Sequence, residues 1–139
     1  MSARRNAILA LYASVTLLDL VRAVIHTIFY KSGLDNISGL STGDELCDNR
    51  LAAIMIAYGG ANLESFLLRA FVLYAYARDN SRGRDLVRAS SVASALWFPV
   101  TRIVSSVGKI DVGDADVPGK YAMLVRSIVS VSTLLLTYA

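Results

Sequence analysis

Apolar residues fill four long stretches of the chain, roughly Asn6 to Tyr30, Leu51 to Ala77, Leu86 to Gly108 and Tyr121 to Ala139, with polar links between them. Each stretch has about the twenty residues that a bilayer core demands of a helix. The pattern predicts an all-α protein, a four-helix transmembrane bundle, with residues 1–139 forming a single integral membrane domain. At about 100° per residue around an ideal helix, the polar residues inside these stretches align. Tyr12, Asp19, Arg22 and His26 share one face of the first, and Tyr58, Asn62, Ser65, Arg69 and Tyr76 one face of the second. Ser91, Ser94, Arg102 and Ser105 do so in the third, and Arg126, Ser130, Thr133 and Thr137 in the fourth.

The uncharged runs within the stretches, Asn6 to Leu18, Leu51 to Leu63, Ala89 to Thr101 and Ser127 to Ala139, are thirteen residues each. Runs of that length also suit core helices of a soluble protein. A soluble four-helix bundle, however, has a wide polar face on every helix, whereas each stretch here has a narrow polar stripe on an otherwise apolar circumference. The stripe pattern favours a membrane.

The links add an orientation. Arg4 and Arg5 precede the first stretch, and Arg78, Arg82, Arg84 and Arg88 crowd the link between the second and third. The other two links carry only Lys31, Arg50, Lys109 and Lys120. The positive-inside rule therefore predicts both termini on the same, basic side, facing cytoplasm or an organelle matrix. Arg4 and Arg5 followed by an apolar stretch that continues past Asp19 suit an uncleaved signal anchor. A multi-pass protein of an organelle inner membrane or another cellular membrane is the expected localisation.

Composition agrees: 55% of the residues are hydrophobic and 18% charged. The net charge of +3 is divided between membrane flanks and helix interiors and leaves no basic face for nucleic acid. Cys47, the single cysteine, has no internal disulfide partner and no ligand cluster, so no metal site is expected. The acidic link from Asp111 to Asp116 lacks the pattern of a calcium loop. No phosphate-binding loop, dinucleotide fingerprint or nucleophile elbow occurs, so no cofactor is expected and a hydrolase or nucleotide enzyme is disfavoured.

The candidate chemistry lies in the stripes. Arg22, Arg69, Arg102 and Arg126 meet two intramembrane carboxylates, Asp19 and Glu64. Charges inside a bilayer turn inward and pair or line a wet cavity, and unpaired ones are costly. The surplus of cations calls for an outside anion: a phospholipid headgroup, an anionic ligand or a partner's carboxylate. Without one, snorkelling to the headgroups and salt bridges between helices account for the arginines. His26, with no ligand neighbour, reads first as a hydrogen-bonded helix residue. On the second stretch Ala53, Ala57, Gly60 and Ala61 line up with Glu64 as a small-residue packing face, internal or between molecules. Pro99 frees the carbonyl at Ala95 and predicts a bend in the third helix.

Two families of small four-span proteins resemble the chain in part. Ala61-Asn62-Leu63-Glu64-Ser65 and Thr101-Arg102-Ile103 are similar to the glutathione-binding motif of the membrane-associated eicosanoid and glutathione enzymes. That family's basic motif at the cytoplasmic end of the span is absent, and the charges here place the long first loop on the opposite side. The ergosterol-biosynthesis scaffold family is similar in length, span spacing and an arginine late in span two, here Arg69, but its span-three His and Glu pattern is missing. Both likenesses are of topology and assign the chain to neither family.

Two functions follow as expectations. The first is a non-catalytic accessory or scaffold subunit that packs against other membrane-protein subunits and anionic phospholipids. The alternative is a small membrane enzyme or carrier that binds an anionic amphiphile, a lipid or thiol conjugate, in a polar cavity. Arg22, Arg102 and Arg126 would clamp the anion, with Asp19 or Glu64 as proton acceptor.

Overall fold

A computed structural model describes residues 3–30, 43–108 and 117–139, without the side chains of Asn80, Phe98, Thr101, Arg102, Ser105 and residues 117–120. The link from Asp111 to Asp116 and the side chain of Arg102 thus lie outside the described residues. Four helices occur among the described residues: α1 (Ala3–Thr27), α2 (Glu45–Arg78), α3 (Asn80–Val107) and α4 (Val117–Tyr138). There is no strand among the described residues. Each helix packs against its neighbour in sequence, and α4 closes the ring against α1.

Three helices, α1, α2 and the part of α4 from Tyr121 to Tyr138, are long and apolar enough to cross a membrane. The described stretch of α3, residues 81–97, does not qualify, where the sequence predicts four equivalent spans. The first two turns of α3 are basic, and it faces its neighbours with Ser91 and Ser94, both buried. Its outward face is Val92, Leu96, Trp97, Val100, Ile103 and Val104, all exposed.

That inversion holds throughout. Among the described residues, buried polar or charged side chains outnumber buried apolar ones eleven to eight, while Leu17, Leu67, Phe71, Ile103 and Leu135 are each more than half exposed. In water this would expose an apolar surface far beyond ordinary scatter. The buried hydroxyls are satisfied locally: Thr16 donates to the Tyr12 carbonyl at 2.8 Å, Ser94 to Ser90 at 3.0 Å and Thr133 to Val129 at 2.8 Å. Such bonds to the preceding turn let small polar residues face another helix without orphaned groups. Pro99 removes the ladder bond to Ala95, and the Ser127 hydroxyl of α4 donates to that carbonyl at 3.4 Å.

Along the bundle the interior is layered. Ile8, Tyr12, Tyr76 and Val87 form an apolar layer near the start of α1, and Ala52 and Met55 pack with Tyr30 and Leu51 near its end. The charged stripe residues lie between.

Beyond the first layer, arginines close the bundle. Arg4 donates to the Leu136 carbonyl at 2.8 Å, Arg88 to the Thr137 carbonyl at 2.6 Å, and Arg5 to the carbonyl of Ala77. The last carbonyls of a helix lack partners within it and carry the negative end of its dipole, so guanidinium donors are well placed there. The residues that the sequence marks as topology signals therefore also cap α2 and α4. Arg88 further stacks 4.1 Å from the Tyr138 ring centre. Replacing Arg88 by glutamine is expected to destabilise the end of α4 by about 1–2 kcal/mol. Faster amide exchange in its last turn, with no change in Arg82→Gln, is the check; unchanged exchange in both would mean water satisfies those carbonyls.

A single residue, Asp79, joins α2 to α3. Its carboxylate accepts from the Ser81 N–H at 3.0 Å and the Ser81 hydroxyl at 2.9 Å, capping α3. These bonds hold its pKa below the ordinary carboxylate value. So tight a turn forces α3 against α2: a Cβ on Gly83 would lie 2.2 Å from the Tyr76 Cα.

Candidate functional site

Asp19, in the middle of α1, is fully buried and is the focus of the charged layer. Two helices supply its partners. Arg69 of α2 places Nε 2.9 Å from Oδ2. Arg126 of α4 brings Nη1 to 3.2 Å from Oδ1 and Nη2 to 3.3 Å from Oδ2. Both carboxylate oxygens thus face guanidinium, an arrangement that fixes geometry as well as charge. The remaining reach of Arg69 goes to α3, where Nη2 donates to the Ser94 hydroxyl. Its guanidinium also sits 5.6 Å from the Tyr12 ring centre, and the Tyr12 hydroxyl shares a 2.7 Å bond with Ser90. All four helices therefore meet at this pair of contacts.

One turn along α1, Arg22 donates through Nη2 to the Tyr58 hydroxyl and lies 5.2 Å from that ring's centre. His26 packs edge-on against the same ring at 5.1 Å, with Nδ1 2.6 Å from the Arg22 carbonyl. Tyr58 is thus held from both sides. Arg22 and Arg126 are near enough to act electrostatically on Asp19 and on each other.

Three guanidinium groups converge on one carboxylate, and the pairing is incomplete. Arg22 Nη1 and Arg126 Nε are buried with no hydrogen-bond partner among the described residues, and so is Asp19 Oδ1, whose contact with Arg126 is one of charge alone. Beside Arg126 lies a cavity of about 250 Å³, lined by Tyr58, Ala61, Asn62 and Ser65 of α2, Trp97 of α3 and Arg126 itself. Its lining is mainly apolar, and it opens to the outside of the bundle.

The stripe residues Asp19, Arg22, His26, Arg69 and Arg126 are brought into one layer. Glu64 is not: it is exposed on the far side of α2, along with Ala53, Ala57, Gly60 and Ala61. This row is therefore no internal seam of the bundle. The close approach between α1 and α2 falls one residue away at Gly59, where a Cβ would lie 2.6 Å from Thr27 Cγ2, while at Gly60 it would meet open space. The sequence stripes did not single out Trp97, which faces outward and carries no polar pattern, nor Ser90, the partner of Tyr12. No metal cluster of His, Cys, Asp or Glu occurs among the described residues. Comparison with known proteins attaches no family to this arrangement: no family model, curated protein or solved structure matches the chain.

Proposed function

We propose that this chain is a multi-pass membrane protein with four spans, α3 being the fourth, and that its interior binds an anionic amphiphile. Three observations support the topology. The outward faces of all four helices are apolar, including that of α3, whose 28 residues would cover about 42 Å at 1.5 Å each. The interior is polar and internally bonded. The first turn of α1 and the last turn of α4 are joined through Arg4, at the end where Arg5, Arg78 and Arg88 also lie, and this basic end is the one the positive-inside rule assigns to cytoplasm or matrix.

The binding function is carried by the excess of buried cation: Arg22, Arg69 and Arg126 against Asp19, beside a cavity and with two guanidinium nitrogens unbonded. An uncompensated charge within a bilayer is expensive, and a bound anion removes the cost. Arg126 is the first contact and Arg22 the support behind Tyr58. Asp19, gripped by two arginines, serves as their structural counter-ion. The chemistry is that of a carrier or binding protein, or of an enzyme whose reacting group comes from elsewhere.

One observation favours the accessory-subunit function as a second reading. Glu64 is an exposed carboxylate on an otherwise apolar, small-residue face, and in a bilayer it calls for a cationic partner from another subunit.

Purification of the full chain in mild detergent, followed by native mass spectrometry, separates the two. A small anionic adduct that is retained by the native chain and by Glu64→Gln, but lost in Arg126→Gln, is the expected result. Stoichiometric protein partners lost in Glu64→Gln, with no anionic adduct, would overturn the binding function in favour of the subunit.

A further inference from the structure

The cavity beside Arg126 has a gradient of exposure that bears on how a ligand would reach it. Arg126 and Asn62 are its deep wall: the Arg126 side chain is 12% exposed, and Asn62 is buried, its amide donating to the Tyr58 carbonyl at 2.7 Å. Tyr58 and Ser65 are half-buried, while Ala61 and Trp97 form an exposed rim. The rim belongs to the outward apolar faces of α2 and α3, where Leu68, Leu96 and Val100 are also exposed. The opening thus looks sideways into whatever surrounds the bundle, between two helices, and not along its axis.

Depth points the same way. Counting at about 1.5 Å per residue, Arg126 lies about 18 Å from the basic end along α4, and Trp97 about 26 Å from it along α3. Both distances fall inside the roughly 30 Å thickness of a hydrocarbon core. In a bilayer such a mouth lies beside lipid chains, so a lipid is already there.

Size narrows the class. A cavity of about 250 Å³ falls below the roughly 300–1,000 Å³ of sites that enclose a whole drug-sized molecule. It admits a compact charged head and is small for a whole peptide or nucleotide. Its mainly apolar walls suit the first methylenes behind that head.

From the exposure gradient, the sideways opening and the Arg126 side chain on its deep wall, we infer that the ligand is a lipid with a compact anionic head, such as a long-chain carboxylate. It enters laterally from the bilayer between α2 and α3, its head on Arg126 and its chain against Trp97. This rests on the interior anion site proposed above and excludes the thiol-conjugate form of that ligand. Arg69 remains the lock on Asp19, and the carboxylate offsets the positive charge of Arg126.

Trp97 is the only tryptophan in the chain, which gives a direct readout. The full chain in zwitterionic nanodiscs is titrated with dibromostearate, a contact quencher of indole. Saturable quenching, reversed by unbrominated stearate and unaffected by inorganic phosphate or S-hexylglutathione, is expected. Arg126→Gln should weaken the half-saturation at least tenfold. Ala61→Phe, which fills the mouth at an exposed position without altering any charge, should abolish saturation with the fold unchanged by circular dichroism. Glu64→Gln should behave as the native chain. Quenching that rises linearly and matches that by dibrominated phosphatidylcholine would overturn the inference, because Trp97 would then only face bulk lipid. Competition by phosphate or S-hexylglutathione would overturn it as well. If mass spectrometry still finds an Arg126-dependent anion in either case, the interior site stands and only lateral lipid entry is lost.

Discussion

Replacing Asp19 by asparagine is expected to lower the stability of the bundle by about 3–5 kcal/mol, the cost of removing one partner from a buried ion pair. The change is nearly isosteric, so packing survives and the charge alone is lost. Arg69 and Arg126, which now approach the same carboxylate from opposite helices at 2.9 and 3.2 Å, would face each other across a neutral amide with Arg22 close by. Three uncompensated cations in a low-dielectric interior repel strongly. Equilibrium unfolding of the reconstituted protein measures the loss. Combining Asp19→Asn with Arg69→Met should recover part of it, because one repelling charge is gone and the replacement fills similar volume. A loss below about 1 kcal/mol for the single variant would show that water screens the layer, the ordinary behaviour of an exposed pair.

Gly83→Ala is expected to cost at least the upper end of the roughly 1–3 kcal/mol typical of overpacking. The added methyl would fall 2.2 Å from the Tyr76 Cα and 2.5 Å from its nitrogen, both backbone atoms that no rotamer change can move. With Asp79 as the only residue between α2 and α3, the hairpin has no slack with which to open. Gly60→Ala is the matched control: nothing lies within 4 Å of the new carbon, and alanine is the better helix former by about 1 kcal/mol. It should be neutral or stabilising. Thermal unfolding of the two variants together tests the pair, and equal behaviour would mean that the helices are not packed as described.

What the sequence made legible was rotational. A period of 3.6 residues assigns each side chain to a face, and the polar faces are inward: Tyr12, Asp19 and His26 on α1, Asn62 and Arg69 on α2, Ser91 and Ser94 on α3, Ser130, Thr133 and Thr137 on α4 are all buried. Axial registration was not legible, because it is set by how helices slide against one another. Arg69 lies seventeen residues beyond Ala52 on α2, nine from the helix end at Arg78, yet it reaches the same carboxylate as Arg126. Rotation was not legible everywhere: the close contact between α1 and α2 falls at Gly59, about 100° around the helix from Gly60, whose face is open within the bundle. The arginines at the basic end were legible as a charge bias, but their bonds to carbonyls of α2 and α4 depend on helix ends meeting in space. The α3 helix illustrates a converse case. Hydropathy averages around the helix and scores inward serines against it, although only the outward residues touch the surrounding medium.

On the four-span topology proposed above, the pairing of Asp19 with Arg69 and Arg126 also imposes an order on biosynthesis. Asp19 emerges from the ribosome about fifty residues before Arg69 and more than a hundred before Arg126. While α1 is alone in the translocation machinery, its carboxylate has only Arg22 on the same helix nearby, and a charge facing lipid costs at least about 2.5 kcal/mol even on the mildest insertion scale. Arrival of α2 supplies the first interhelical cation, which favours release of α1 and α2 as a hairpin over release one by one. Arrival of α4 supplies the second cation and closes the ring. The ion pairs are in this sense a timetable, in which each later helix is drawn out of the translocon by a charge already waiting in the bilayer.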